Sequence, residues 1–272
     1  MQHFKQKVVI ITGASSGIGK ACAEALAKSG ANVVLAARQY VKLCEIAAEL
    51  ESKYQIKALA VQADISREED AKLLIQQTLT TFGKIDVLIN NAGLSMRALF
   101  NDLDLSVLKN LMDVNFWGTV YCTKYALPEI LKTNGSIVGV SSIAGYRGLP
   151  GRTGYSASKF AMNGFMEALR TELLKTGVHV MVACPGFTAS NIRVAALAKD
   201  GAVHGETSME EEKMMSAEEV ATRICDGIAK RKRTLVMTRQ GKLAVWMNKL
   251  FPAFTDKKVY SLFAKEKNPL IK

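Results

Sequence analysis

The sequence contains no apolar run approaching the roughly 20 residues that a membrane-spanning helix needs. Its first residues, Met1-Gln2-His3-Phe4-Lys5, lead into an apolar stretch of only Val8 to Ile11. That is too short for the core of a secretion signal, so export is not expected and a cytoplasmic location is. Cysteine is sparse. Cys22, Cys44, Cys122, Cys184 and Cys225 are odd in number, scattered, and free of CxxC or Cys/His spacing. A disulfide framework or a metal site is therefore not expected, and reduced thiols are; Cys184 reads as a small buried apolar residue. There is also no Pro- or Gly-rich linker and no internal repeat. The expectation is one domain over residues 1–240, followed by an extension over 241–272.

What is present is an ample core and an uneven charge. Of 272 residues, 49% are hydrophobic and 22% charged, the profile of a globular protein. The net charge of +11 lies almost wholly at one end. Residues 230–272 hold twelve Lys/Arg against Asp256 and Glu266, whereas the first 229 hold 24 basic and 23 acidic side chains. The body is neutral and the tail is basic.

Apolar runs suited to buried strands alternate with segments of helical period. Strands are expected at 8–12, 31–37, 57–62, 86–90, 136–141, 178–183 and 234–237. Helices are expected at 17–29, 40–54, 67–82, 105–133, 155–176 and 216–229, with Pro128 disturbing the last turns of the long one. Such alternation needs crossover connections, and so implies a doubly wound α/β fold: about seven mostly parallel strands with helices on both faces. Residues 187–215 are weakly patterned and carry Glu210-Glu211-Glu212, which reads as a substrate lid.

Thr12-Gly13-Ala14-Ser15-Ser16-Gly17-Ile18-Gly19 follows the first strand and opens the first helix. Glycines there let the backbone turn tightly and approach a pyrophosphate whose charge sits at the helix N-terminus. The alternative for such a turn alone is a plain strand-to-helix connection. Tyr155 and Lys159 are four apart on one helix, so they share a face about 6 Å apart along the axis; alone they would also suit a solvated helix surface.

The G-x-x-x-G-x-G spacing resembles that of the short-chain dehydrogenase/reductase family, whose other markers occur in order over about residues 7–237. Asn90-Asn91-Ala92-Gly93 is similar to its second marker, Ser142, Tyr155 and Lys159 to its catalytic trio, Asn115 to the fourth member, and Pro185-Gly186 to the turn after the sixth strand. The resemblance implies a Rossmann-type fold and hydride transfer at a carbonyl or alcohol carbon. It implies a cofactor held by Gly13, Ser15, Ser16, Gly17, Ile18 and Gly19, by Asn91, Ala92 and Gly93, and by Tyr155, Lys159, Pro185 and Gly186. Ser190 stands where this family often has Thr, and Thr188 is its neighbouring candidate. Asp64, with Ile65, resembles the adenine-side contact, although an acid before Arg67 also suits a helix N-terminus.

The chemistry of these groups agrees with the implied roles. A phenol near pKa ~10 is a poor acid–base catalyst at neutral pH, and an ammonium beside it favours the phenolate. Tyr155 would then exchange a proton with the developing alkoxide, Ser142 would hydrogen-bond the carbonyl oxygen, and Asn115 would hold a water linking Lys159 to solvent. An enzyme that prefers NAD usually ends its second strand on an acid. Here Ala37 and Arg38 occupy that place, which favours NADP(H), unless Arg38 merely caps the strand edge.

In the tail, Leu243, Trp246, Met247 and Leu250 share a helical face with Lys242 and Lys249 opposite, and Val259, Tyr260 and Phe263 form a second stripe after Pro252. Three readings stand: packing on the enzyme's own pocket or a second subunit, attachment to an anionic membrane, or nucleic-acid binding, for which no recognised motif accompanies Lys230-Arg231-Lys232-Arg233. The expected activity is NADPH-linked reduction of a ketone or aldehyde by a homodimer or homotetramer built on the long and catalytic helices. The apolar tail and the lid residues Ala195, Ala196, Leu197, Met214 and Met215 point to a bulky or lipid-like substrate, although such residues equally suit lid core. The rivals are an alcohol dehydrogenase working oxidatively and a dinucleotide-binding regulatory protein without turnover.

Overall fold

In a computed structural model of the chain, residues 2–188, 192–205, 214–265 and 268–271 are described. Seven strands form one parallel sheet: β1 (Val8–Thr12), β2 (Asn32–Ala37), β3 (Ala58–Gln62), β4 (Val87–Asn90), β5 (Ser136–Val140), β6 (His179–Cys184) and β7 (Thr234–Val236). Their order across the sheet is β3-β2-β1-β4-β5-β6-β7. The chain winds outward one way from β1 to β3 and then the other way from β4 to β7. The crevice between β1 and β4, at their C-terminal ends, is where such sheets hold ligands.

Strand side chains alternate between two cores with a period of two, as the pleat requires. Val9 and Ile11 bury against one set of helices, Val8 and Ile10 against the other. The first set is α1 (Gly17–Lys28), α2 (Tyr40–Tyr54) and, from late in the chain, a helix at Ala217–Ala229. The second is α3 (Glu68–Phe82) with two helices at Gly118–Thr133 and Thr153–Glu172. Because both faces are covered, β1 reads as an unbroken apolar run rather than an alternating one.

The expected long helix over 105–133 departs from regularity, but not at Pro128. It consists of α4 (Leu105–Met112), a π-helical turn at Asp113–Trp117 and α5 (Gly118–Thr133), and Pro128 lies inside α5 without ending it. The π turn carries Asn115. Gly118 follows it because a Cβ there would stand 1.9 Å from Ile65 Cδ1. The helix that carries Tyr155 and Lys159, α6 (Thr153–Glu172), starts two residues earlier than expected and ends four earlier. After α7 (Ala217–Ala229) and β7, the tail forms two helices, α8 (Arg239–Leu250) and α9 (Pro252–Phe263), with Pro252 at the N-terminus of the second. Among the described residues, no helix is long and apolar enough to cross a membrane.

One buried carboxylate ties β1 to β4. Asp86 accepts hydrogen bonds from the Val8 N–H (2.9 Å) and the Lys7 ammonium (2.8 Å), and Lys84 lies 3.0 Å away. Burial raises its pKa, but these three donors outweigh burial and hold it below the usual aspartate value. Stabilisation from a lowered pKa is complete above the unfolded value and lost as pH falls through the folded one. Asp86→Ala is expected to cost about 1–3 kcal/mol at pH 7, chiefly by orphaning the Val8 N–H. Urea melts should show that gap closing as pH drops below about 4; a gap that persists at low pH would show that the carboxylate's charge is not what matters.

Candidate active site

The glycine-rich turn leaves β1 at Thr12. Its two left-handed positions are Gly13 (φ 66°) and Gly17 (φ 51°), conformations that favour glycine. Thr12 and Asn91 clasp this turn to the loop after β4. The Thr12 hydroxyl accepts from the Asn91 and Ala92 N–H groups, both at 3.0 Å, and the Asn91 amide donates to the carbonyls of Thr12 (2.9 Å) and Gly13 (3.3 Å). Gly19 lies outside the cleft and serves packing, since a Cβ there would be 2.2 Å from the Gly13 carbonyl oxygen. The α1 N-terminus has no side-chain cap and no acid in its first turn, so its amide dipoles face the cleft unopposed.

That cleft, about 490 Å³, runs from the edge of β2 across the sheet to α6. It is lined by Gly13, Ser15, Ser16, Gly17 and Ile18, then by Arg38, Asp64 and Ile65, then by Asn91, Ala92 and Gly93. At its other end stand Ser142, Tyr155, Lys159, Pro185, Gly186 and Thr188. Of the expected cofactor contacts, all but Gly19 and Ser190 line it; Ser190 lies outside the described residues. Asp64 faces the cleft, and its Oδ1 accepts from the Ser66 N–H (3.1 Å) and hydroxyl (2.7 Å), two residues ahead of α3 rather than at its cap. Lys42, in the first turn of α2, adds a second cation at the β2 end that was not expected, and no helical period links it to Arg38, which precedes the helix.

At the far end, Lys159 is buried and its ammonium donates to the Val140 carbonyl at 2.9 Å. Burial lowers its pKa to about 8. Ser142 sits in extended backbone just before a short 3₁₀ turn at Ile143–Gly145, and its oxygen accepts from the Ala144 N–H at 3.1 Å. Its own hydroxyl proton is thereby left to donate toward the cleft.

Tyr155 differs from expectation in electrostatics. Burial raises its pKa, and the groups that pull it down are Ser142 and Arg152. The Lys159 ammonium lies over the phenol ring, 5.8 Å from its centre. The cation nearest in effect is thus Arg152, the N-cap residue of α6, which sequence reasoning missed. No motif marks it; its relevance comes from lying three residues before Tyr155 on a wall of the cleft.

Asn115 is fully buried and does not line the cleft. Its side chain brackets Leu94, accepting from its N–H (2.7 Å) and donating to its carbonyl (2.9 Å), and donates to the Ser158 hydroxyl (2.8 Å). Its side-chain amide is thus committed to bracing the loop after β4. A Cβ on Gly93 would stand 3.1 Å from Asn115 Oδ1, a tight contact, and 3.5 Å from Lys159 Nζ, an ordinary one, so glycine is the easiest fit here. The lid expectation also needs revision. Ala196 and Leu197 are buried, Leu197 against Met96, Leu103 and Val107, and Met215 packs on the main core. Only Ala195 of the five lines the cleft; Leu94, Leu149, Phe187 and Ile192 supply its other apolar wall. Glu210-Glu211-Glu212 lies outside the described residues.

A dinucleotide fits these residues. The uncapped α1 N-terminus suits a pyrophosphate, Arg38 and Lys42 suit a further anion beyond it, and the Tyr155 end is apolar with one buried ammonium. The family model for the short chain dehydrogenases matches residues 7–201. Dehydrogenase/reductase SDR family member 7B of Mus musculus is 33% identical over 270 residues, spanning 97% of this chain and 84% of that protein. The 11-beta-hydroxysteroid dehydrogenase 1A of Arabidopsis thaliana is 38% identical over 192 residues, 70% of this chain and 55% of its own. Among solved structures, an alcohol dehydrogenase from Thermococcus sibiricus complexed with 5-hydroxy-NADP has a TM-score of 0.77 at 26% identity, covering 86% of this chain and 96% of that one.

The lowered pKa of Lys159 has a consequence for stability. A buried ammonium disfavoured in the fold destabilises it fully below about pH 8, and that cost fades as pH rises toward the unfolded value near 10.4. Lys159→Met is expected to raise stability at pH 7 by roughly 1 kcal/mol, or about 2–4 °C in Tm, even though the Val140 carbonyl loses its donor. Thermal melts at pH 7 and pH 10 should show the advantage shrinking at the higher pH. A destabilised variant at both would mean that the ammonium is net favourable where it sits.

Proposed function

The chain belongs to the short-chain dehydrogenase/reductase family, and we propose that it reduces a ketone or aldehyde with NADPH, with Tyr155 as the proton donor. One observation carries the reading: Tyr155, Lys159 and Ser142 converge at the end of a single cleft whose opposite end is an uncapped helix N-terminus beside Arg38 and Lys42.

A bound nicotinamide cofactor supplies the hydride. The chain's own residues do the rest. The Ser142 hydroxyl, held by the Ala144 N–H, points a donor at the carbonyl oxygen, where charge grows. Tyr155, whose pKa burial holds above the usual phenol value, is protonated at neutral pH and ready to give that proton. As the phenolate forms, the charges of Arg152 and Lys159 stabilise it, and the low-polarity surroundings make each worth more than in water. Leu94, Leu149, Phe187 and Ile192 offer an apolar wall to the body of the substrate.

The preference for NADPH rests on charge. Ala37 ends β2 where an acid would repel a 2′-phosphate, and two exposed cations follow it on the cleft wall. All five cysteines are free thiols, which suits a reducing compartment such as the cytosol. Assembly through α5 and α6 is part of the same reading. Trp117 at the start of α5 and Phe160 on α6 remain 43% and 46% exposed in the single chain, more than such rings usually are without a partner.

Tyr155→Phe is expected to bind NADPH with unchanged affinity and lose at least about 100-fold in carbonyl reduction, read as loss of NADPH absorbance with a panel of ketones. Normal turnover in that variant would remove the phenol from the mechanism. In titrations, the parent should bind NADPH more tightly than NADH. Arg38→Ala should narrow the ratio about tenfold or more, the worth of a charge-assisted hydrogen bond. Equal affinities in the parent would end the cofactor assignment.

A further inference from the structure

The α8 stripe does not pack on the body. Leu243, Trp246 and Leu250, one turn apart along α8, are 54%, 55% and 55% exposed. Phe251, Phe254 and Leu262 continue the surface at 54%, 49% and 58%. The body is instead gripped by small and polar groups and, from the second stripe, by Phe263. A Cβ on Gly241 would meet Ile143 Cδ1 at 2.1 Å, the Asn248 amide donates to the Tyr146 carbonyl at 3.0 Å, and Thr255 and Phe263 are buried. The sequence places the right residues on one face, yet the structure turns that face to solvent.

Charge accompanies the exposed rings. Lys242 and Lys249 border the α8 stripe rather than opposing it, the opposite face being that of Gly241 and Asn248. Lys257 and Lys258 do the same on α9, with the Lys258 ammonium 5.5 Å from the Phe254 ring centre. The sole acid of the two helices, Asp256, is engaged by Arg147 at 2.5 Å. Exposed aromatic and aliphatic side chains rimmed by uncompensated lysines complement a surface that is apolar beneath and anionic at its rim.

We infer that the outward face of α8 and α9 docks on an anionic lipid surface, with Trp246, Leu250 and Phe254 entering the interface and the lysines resting among the headgroups. Each buried apolar side chain and each lysine near such a surface adds binding energy, whereas a second protein copy would bring its own lysines into like-charge contact across a symmetric interface. The inner faces of the same helices hold residues 143–152, one wall of the cleft, so docking would fix that wall relative to the bilayer.

Flotation of the full chain tests this with vesicles of phosphatidylcholine alone and with added phosphatidylserine. The expected result is co-flotation with the anionic vesicles at low salt, weakened by high salt and little with the neutral ones. Trp246→Ala/Leu250→Ala and, separately, Lys242→Gln/Lys249→Gln should each lower the partition about tenfold or more. Unchanged circular dichroism and NADPH affinity verify that these surface variants fold. No flotation, equal binding to neutral vesicles, or binding that both variants retain would overturn the inference. So would a concentration-dependent dimer, abolished by the Trp246/Leu250 pair and unaffected by lipid, which would give the face to a second copy.

Discussion

A cation with no carboxylate partner among the described residues sits beneath the reactive end of the cleft, and much of the local structure follows from tolerating it. The Lys159 ammonium meets the Val140 carbonyl at the last residue of β5, where the strand has run out of ladder partners on that side. Its tether is α6, and Gly93, which has no side chain, faces it across the loop after β4. Asn115 then holds the Leu94 backbone with two hydrogen bonds from a fully buried amide, which a third ties to Ser158 on α6. That amide in turn is aimed by a π-helical turn, which supplies the extra residue needed to bring one side chain inward without ending the helix. Removing the Asn115 amide would leave the buried Leu94 N–H and carbonyl unmatched, at a cost of about 1–3 kcal/mol.

The same arrangement explains a division of labour among the marker residues. Asn91, Asn115 and Gly19, which sequence similarity groups with the site, act by bracing loops or by packing. Thr12, which carried no expectation, completes the clasp between the loops after β1 and β4. Ser142, Tyr155 and Lys159 are the groups left facing the cleft. A residue kept in a motif can thus serve the chemistry by holding backbone rather than by touching a ligand.

What was legible in the sequence was whatever local pattern determines. Unbroken apolar strands, helices closed by glycine, and a Gly-rich turn between them are short-range features, so β1, α2 and the cleft's two ends could be placed from residues alone. The π turn was not legible, because its cause is the fit between Asn115 and a loop some twenty residues away in sequence. Arg152 was not legible because nothing in its neighbourhood distinguishes it from any charged helix cap. The lid misled for another reason: apolar residues in a weakly patterned segment suit a substrate wall and a small core equally, and Ala196 and Leu197 chose the core. In the tail the amphipathic period was right and its orientation was not, since helical spacing says which residues share a face and not which way that face turns.

That orientation bears on the chemistry. Residues 142–152 cross the mouth of the cleft with little regular structure, only one 3₁₀ turn, and so depend on side chains from elsewhere to stay in place. Some clamps come from the body, where the Asn163 amide donates to the Gly145 carbonyl, Ser156 accepts from the Leu149 N–H and the Ala98 N–H donates to the Gly151 carbonyl; the tail adds Gly241 against Ile143, Asn248 and Asp256 on Arg147, Phe263 beneath the Arg152 guanidinium at 5.2 Å, and Leu270 against Gly151. Arg152 is also the cation that most favours the Tyr155 phenolate. The basic tail is therefore not an appendage to a finished enzyme. Its inner side packs against Arg152, whose charge acts on the Tyr155 phenol, and whatever covers its outer side acts on the same two helices.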